Sequence, residues 1–125
     1  MAQTSRAVVI GSGFGGLAAA VRLGARGYAC RHLSSAAAAL DAMAVEPCEA
    51  LLTDLRLGGM DGLELCARVT EAYPDVPVIV MTAFGSIDSA VEAMKLGAVD
   101  FIKKPFRTEE LLMTLERARE EADLR

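Results

Sequence analysis

Ala50-Leu51-Leu52-Thr53-Asp54 is an apolar run that ends in a carboxylate. Two later runs are built the same way. Val78-Ile79-Val80-Met81 ends at Thr82, and Val99-Asp100-Phe101-Ile102 is followed by Lys103, Lys104 and Pro105. Short apolar runs of this kind are strands buried on both faces, as in a parallel sheet. The carboxyl ends of parallel strands share one edge, and ligands bind at that edge. Asp54, Thr82 and Lys104 are therefore expected to converge as a carboxylate, a hydroxyl and an ammonium. A nucleophile, a hydrogen-bond donor and a charge clamp are the groups that formation of an acyl phosphate requires. Each residue alone has an ordinary reading: a loop cap, a strand-end residue, a surface charge. Chance explains the three together poorly.

The rest of the chain alternates in the same manner. The pattern predicts strands over 7–10, 28–33, 49–53, 76–81 and 98–102. It predicts helices over about 14–25, 35–44, 63–72 and 86–96, and a fifth from 108. Gly27, Tyr73-Pro74 and Gly97 stop the first, third and fourth helices. Ser34 or Ser35 caps the second; Thr108 caps the fifth, with Glu109 and Glu110 in its first turn where the helix dipole favours them. Strand–helix alternation of this kind gives an α/β fold: a doubly wound, five-stranded parallel sheet with helices on both faces and right-handed crossovers. The fifth helix keeps Leu111, Leu112, Leu115 and Ala118 on one face. It then runs into Glu116, Arg117, Arg119, Glu120 and Glu121, a solvated tail or the start of a connector.

At 125 residues the chain is expected to form one domain, 1–125, with a substantial core, and 53% of its residues are hydrophobic. A net charge of −4 argues against a grip on nucleic acid. The charge is unevenly placed: residues 1–40 hold Arg6, Arg22, Arg26 and Arg31 and no acidic residue, so the remainder carries −8. Cys30, Cys48 and Cys66 show no metal-ligand spacing and read as reduced core thiols of a cytoplasmic protein. His32 lies in an expected strand and reads as structural. No apolar run is long enough to span a membrane. The stretch from Val8 to Val21 is broken by glycines and serine and is not read as a signal peptide.

Four motifs carry a family resemblance. Leu52-Thr53-Asp54-Leu55-Arg56, Gly59-Met60-Asp61-Gly62-Leu63-Glu64-Leu65, Val80-Met81-Thr82-Ala83 and Lys103-Lys104-Pro105-Phe106 occur in this order. From about Ala29 onward the chain resembles a response regulator receiver domain of the nitrogen-regulatory, sigma-54-activator type. The resemblance implies a flavodoxin-like sheet of order 2-1-3-4-5. It implies Asp54 as the phosphoacceptor, with Thr82 and Lys104 binding the phosphoryl group and Phe101 as the switch aromatic. It implies no enzyme of its own but a two-component signalling module, with a histidine kinase as partner and an output domain elsewhere. It also implies a partner or homodimer face on helix four, strand five and helix five, from Ser86 to Met94 and Phe101 to Lys103. Gly58 stands where the family usually has proline.

The resemblance fails after the first strand. Receivers carry two or three acidic residues there, which hold magnesium together with the phosphoacceptor. This chain has Gly11-Ser12-Gly13-Phe14-Gly15-Gly16. No metal site and no cofactor are therefore expected. The resting pocket is expected to be a balanced Asp54–Lys104 pair in place of crowded carboxylates. Gly11, Ser12, Gly13, Gly15 and Gly16 follow a strand, open a helix and satisfy G-x-G-x-x-G, so the loop is a candidate anion site. About 25 residues around it resemble the first turn of flavin- or nicotinamide-binding Rossmann enzymes. The acidic residue that would hold the ribose falls near Ser34, and neither Ser34 nor Ser35 is acidic. Two histories produce this combination: a natural receiver that lost its metal site, or a Rossmann turn grafted onto a receiver. A nucleotide- or flavin-binding domain is the alternative function.

Overall fold

The computed structural model describes residues 6–10, 21–33, 35–46, 48–54, 62–82, 87–103 and 106–123. Five strands stand where the apolar runs are: β1 (Arg6–Ile10), β2 (Ala29–Leu33), β3 (Ala50–Asp54), β4 (Val78–Thr82) and β5 (Asp100–Lys103). They pair in parallel in the order β2-β1-β3-β4-β5, as expected. Residues 21–25 are helical (α1). The other helices are α2 (Ala36–Val45), α3 (Gly62–Ala72), α4 (Ile87–Lys95) and α5 (Thr108–Asp123).

Every residue of β3 and β4 is buried, the signature of strands covered on both faces. Alternation along them separates two apolar layers. Leu51, Val78 and Val80 pack with Ala36, Ala39 and Met43 of α2, Leu65, Cys66 and Val69 of α3, and Ala93 of α4. Ala50, Leu52, Ile79, Met81 and Ile102 pack with Leu23 of α1 and with Leu111, Leu115 and Ala118 of α5. The edge strand β2 is less covered, and His32 stands exposed on it.

The strand limits differ from the apolar pattern for identifiable reasons. β3 and β4 continue one residue further, because the ladder pairs Asp54 with Met81 and Thr82 with Lys103 whatever the side-chain polarity. β4 starts at Val78, since Pro77 has no N–H to donate; its carbonyl accepts from the Leu51 N–H (3.0 Å). Thr108 is the first residue of α5 instead of its cap, and the Leu111 N–H donates to the Arg107 carbonyl (3.1 Å). Ser35 caps α2, its hydroxyl accepting from the Ala38 N–H (3.1 Å).

Two helices end in the same closed turn. The Tyr28 N–H donates to Leu23 and the Gly27 N–H to Gly24; the Ala98 N–H donates to Ala93 and the Gly97 N–H to Met94. This double bond pattern needs a left-handed residue, and Gly27 (φ 94°) and Gly97 (φ 116°) supply it. The two glycines differ in surroundings. A Cβ on Gly27 would meet nothing, whereas one on Gly97 would collide with the Thr70 side chain of α3.

Candidate phosphoacceptor site

Asp54 and Thr82 end adjacent central strands at the carboxyl edge of the sheet. Asp54 is 8% exposed and Thr82 3%. Thr53, immediately before Asp54, is fully buried, and its Oγ1 donates to the Asp54 carbonyl (2.9 Å). Alternation puts Asp54 on the face of Ala50 and Leu52, and Thr82 on the face of Val78 and Val80. The two polar residues thus flank the sheet end from opposite layers, one step apart in register.

Phe101 pairs with Val80 in the ladder and is half-buried against the layer that contains Val80. It sits two residues down the sheet from Thr82 and so shares its face. Its N–H donates to the Asp100 carboxylate (2.8 Å). Lys103 is exposed. Lys104, and with it the expected Asp54–Lys104 pair, lies outside the described residues. So do Gly11, Ser12, Gly13, Gly15 and Gly16, and Gly58. On the expected partner face, Val91 (48%) and Met94 on α4 and Met113 (61%) on α5 are exposed.

Sequence reasoning did not single out Thr53, a β-branched hydroxyl inside an otherwise apolar strand and next to Asp54. No disulfide joins Cys30, Cys48 and Cys66; Cys48 and Cys66 are buried and Cys30 half-buried. Burial pushes the Cys66 thiol up, against hydrogen bonds from Thr70 and Ala98 that pull it down; the thiol also contacts the Ala93 carbonyl (3.7 Å). Burial likewise raises the Cys30 thiol. These are core thiols without the features of a reactive one. No described helix is long and apolar enough to cross a membrane.

The parallel sheet of order β2-β1-β3-β4-β5, with a buried carboxylate and a buried hydroxyl ending neighbouring strands, is a flavodoxin-like architecture, and the chain belongs to the response regulator receiver domain family, which matches residues 16–116. Among relatives, the DNA-binding transcriptional regulator NtrC of Escherichia coli K12 is 40% identical over 96 residues, covering 77% of this chain. The transcriptional regulatory protein FixJ of Bradyrhizobium diazoefficiens is 38% identical over 101 residues, 81% of this chain and 49% of that protein. The crystal structure of the receiver domain of NtrX from Brucella abortus superposes with a TM-score of 0.87 at 32% identity, covering 93% of this chain and 98% of that one. The chain spans only 20% of the length of NtrC. These relatives agree with the nitrogen-regulatory resemblance of the motifs.

Proposed function

We propose that this chain is a cytoplasmic two-component receiver that keeps Asp54 as phosphoacceptor but lacks the carboxylates of the family's magnesium site. Phosphoryl transfer is slow in this reading, and partner binding carries the function; the domain is a signalling module, not an enzyme. The observation that carries the proposal is the burial of Asp54 and Thr82 at adjacent strand ends, in a chain whose family match begins only at residue 16. Lys104 supplies the counter-charge. The incoming phosphoryl group comes from a histidine kinase, and an output domain like those of longer relatives receives the signal.

The donor set does not fit magnesium. Magnesium demands near-octahedral oxygen coordination and rarely binds through one carboxylate. After β1 the sequence has Gly11 and Ser12 where receivers place acids, so it supplies no carboxylate ligands there. Val91, Met94 and Met113 form the exposed apolar part of the face proposed for partners or a second copy, and light scattering across a concentration series tests the homodimer.

A magnesium titration followed by NMR, with and without beryllofluoride, tests the central reading. Ordinary millimolar magnesium is expected to leave the Asp54 region unperturbed, and Gly11→Asp with Ser12→Asp to recover binding. Equal magnesium affinity in the unmodified chain and the double variant contradicts the proposal. Micromolar binding of NAD or FAD would favour the nucleotide reading of the Gly loop instead. Weak, salt-sensitive binding of phosphate alone fits the loop as a helix N-terminus, worth roughly 0.3–1 kcal/mol when exposed.

A further inference from the structure

Thr53 and Thr114 are both buried threonines whose hydroxyls donate to a main-chain carbonyl, but the two bonds differ in kind. Thr114 in α5 donates to Glu110, four residues back (2.8 Å), the local bond that a helix offers any threonine. Thr53 donates forward to the residue after it, Asp54 (2.9 Å), at the last position of a central strand. Thr53 is at 0% exposure, out of reach of bulk solvent, and a buried hydroxyl without a bond is costly. Its β-branched side chain has few χ1 states, which makes the hydroxyl a stiff anchor. The anchor sits on the face of Leu51, opposite the face of Asp54. Holding the Asp54 carbonyl fixes the peptide plane that follows Asp54, and so the backbone from which the carboxylate projects.

We infer that Thr53 is a positioning residue for the Asp54 carboxylate, its buried hydroxyl holding the strand end that presents the nucleophile. This rests on the reading of Asp54 as phosphoacceptor. In the reaction that tests it, an Asp54 carboxylate oxygen bonds to the phosphorus of phosphoramidate while the P–N bond breaks, and the protonated nitrogen leaves as ammonia.

The test uses the full chain as unmodified protein, Thr53→Val and Thr53→Ser, with matched thermal unfolding as a control. Labelling by phosphoramidate is followed by mass spectrometry, and the Asp54 carbonyl ¹³C resonance by NMR. Thr53→Val, which keeps the shape and removes the donor, is expected to slow labelling at saturating phosphoramidate by about ten-fold or more, because small misplacements of a reacting group are costly. The half-saturating concentration stays the same. Thr53→Ser restores the rate, and the Asp54 carbonyl resonance moves in the valine variant only. Labelling of Thr53→Val at the parent rate overturns the inference, and so does a serine variant as slow as the valine one. If neither the unmodified chain nor its Gly11→Asp/Ser12→Asp form is labelled, the phosphoacceptor reading itself fails and takes the inference with it. The carbonyl resonance identifies that case, since it reports the bond without any labelling.

Discussion

At the amino end of the sheet, helices hand over to strands through closed turns and exposed ion pairs. Gly27 and Gly97 complete two matching turns. Arg31 of β2 donates to the Ala42 and Glu46 carbonyls at the end of α2 (3.2 and 2.8 Å), a helix with no basic residue in its last turn. Arg117 of α5 pairs with Asp100 (3.1 Å); Arg119 pairs with Glu49 (2.6 Å) and lies over the Tyr28 ring (6.0 Å). At the carboxyl end, β3 and β4 stop instead on Asp54 and Thr82, both buried. Exposed pairs gain little and cost little. Buried polar groups are expensive unless bonded, and strand ends offer them fewer partners than water does. In the proposed function, the amino end holds the fold together and the carboxyl end holds the chemistry. Changes at one end should therefore move stability without labelling, and changes at the other should do the reverse.

The largest expected effect is at the carboxyl end. Asp54→Asn should abolish labelling by phosphoramidate while leaving the fold intact; mass spectrometry of the labelled peptides checks it, and label retained elsewhere would break the division of roles. Thr82→Ala should slow labelling by about 100-fold, the scale of losing one oriented donor, with Thr82→Ser close to the parent. At the amino end, Gly97→Ala should cost about 2–5 kcal/mol in urea unfolding, from left-handed strain plus collision with Thr70, and leave labelling per folded molecule unchanged. Gly27→Ala, with the same φ sign but open space around it, should cost only about 1–2 kcal/mol. Equal costs at the two glycines would mean that the close approach of Thr70 contributes nothing. Arg31→Met should lower stability by about 1–2 kcal/mol through loss of its bonds to the end of α2. Smallest of all, Arg117→Ala should change stability by less than about 1 kcal/mol, and the difference should fade in high salt. A larger, salt-insensitive loss would show that the ion pairs of the amino end matter more than their exposure implies.

The five strands and the placement of Asp54 and Thr82 at strand ends were legible in the apolar pattern; the sheet order was legible only through the receiver resemblance of the motifs. Apolar runs of strand length separated by helix-length segments leave few arrangements, and the polar residue closing each run marks the edge. The helix stops at Gly27 and Gly97 were legible because a left-handed cap strongly favours glycine. Legibility ended where partners are distant in sequence. Nothing in the order of residues says that Arg31 reaches the end of α2. Nothing says that Thr70 sits against Gly97.

What the sequence determined by itself was therefore periodic and local: five strands, the helices between them, the glycine stops at Gly27 and Gly97, and the placement of Asp54 and Thr82 at strand ends. Burial and backbone conformation are set by composition over a few residues, so such features survive without knowledge of the fold. The tertiary structure alone decided which layer each polar residue faces, where the Thr53 hydroxyl finds its acceptor, and why two glycines with the same backbone role have unequal neighbours. Those outcomes depend on how the layers close over the sheet, and packing fixes them between residues that no short pattern relates.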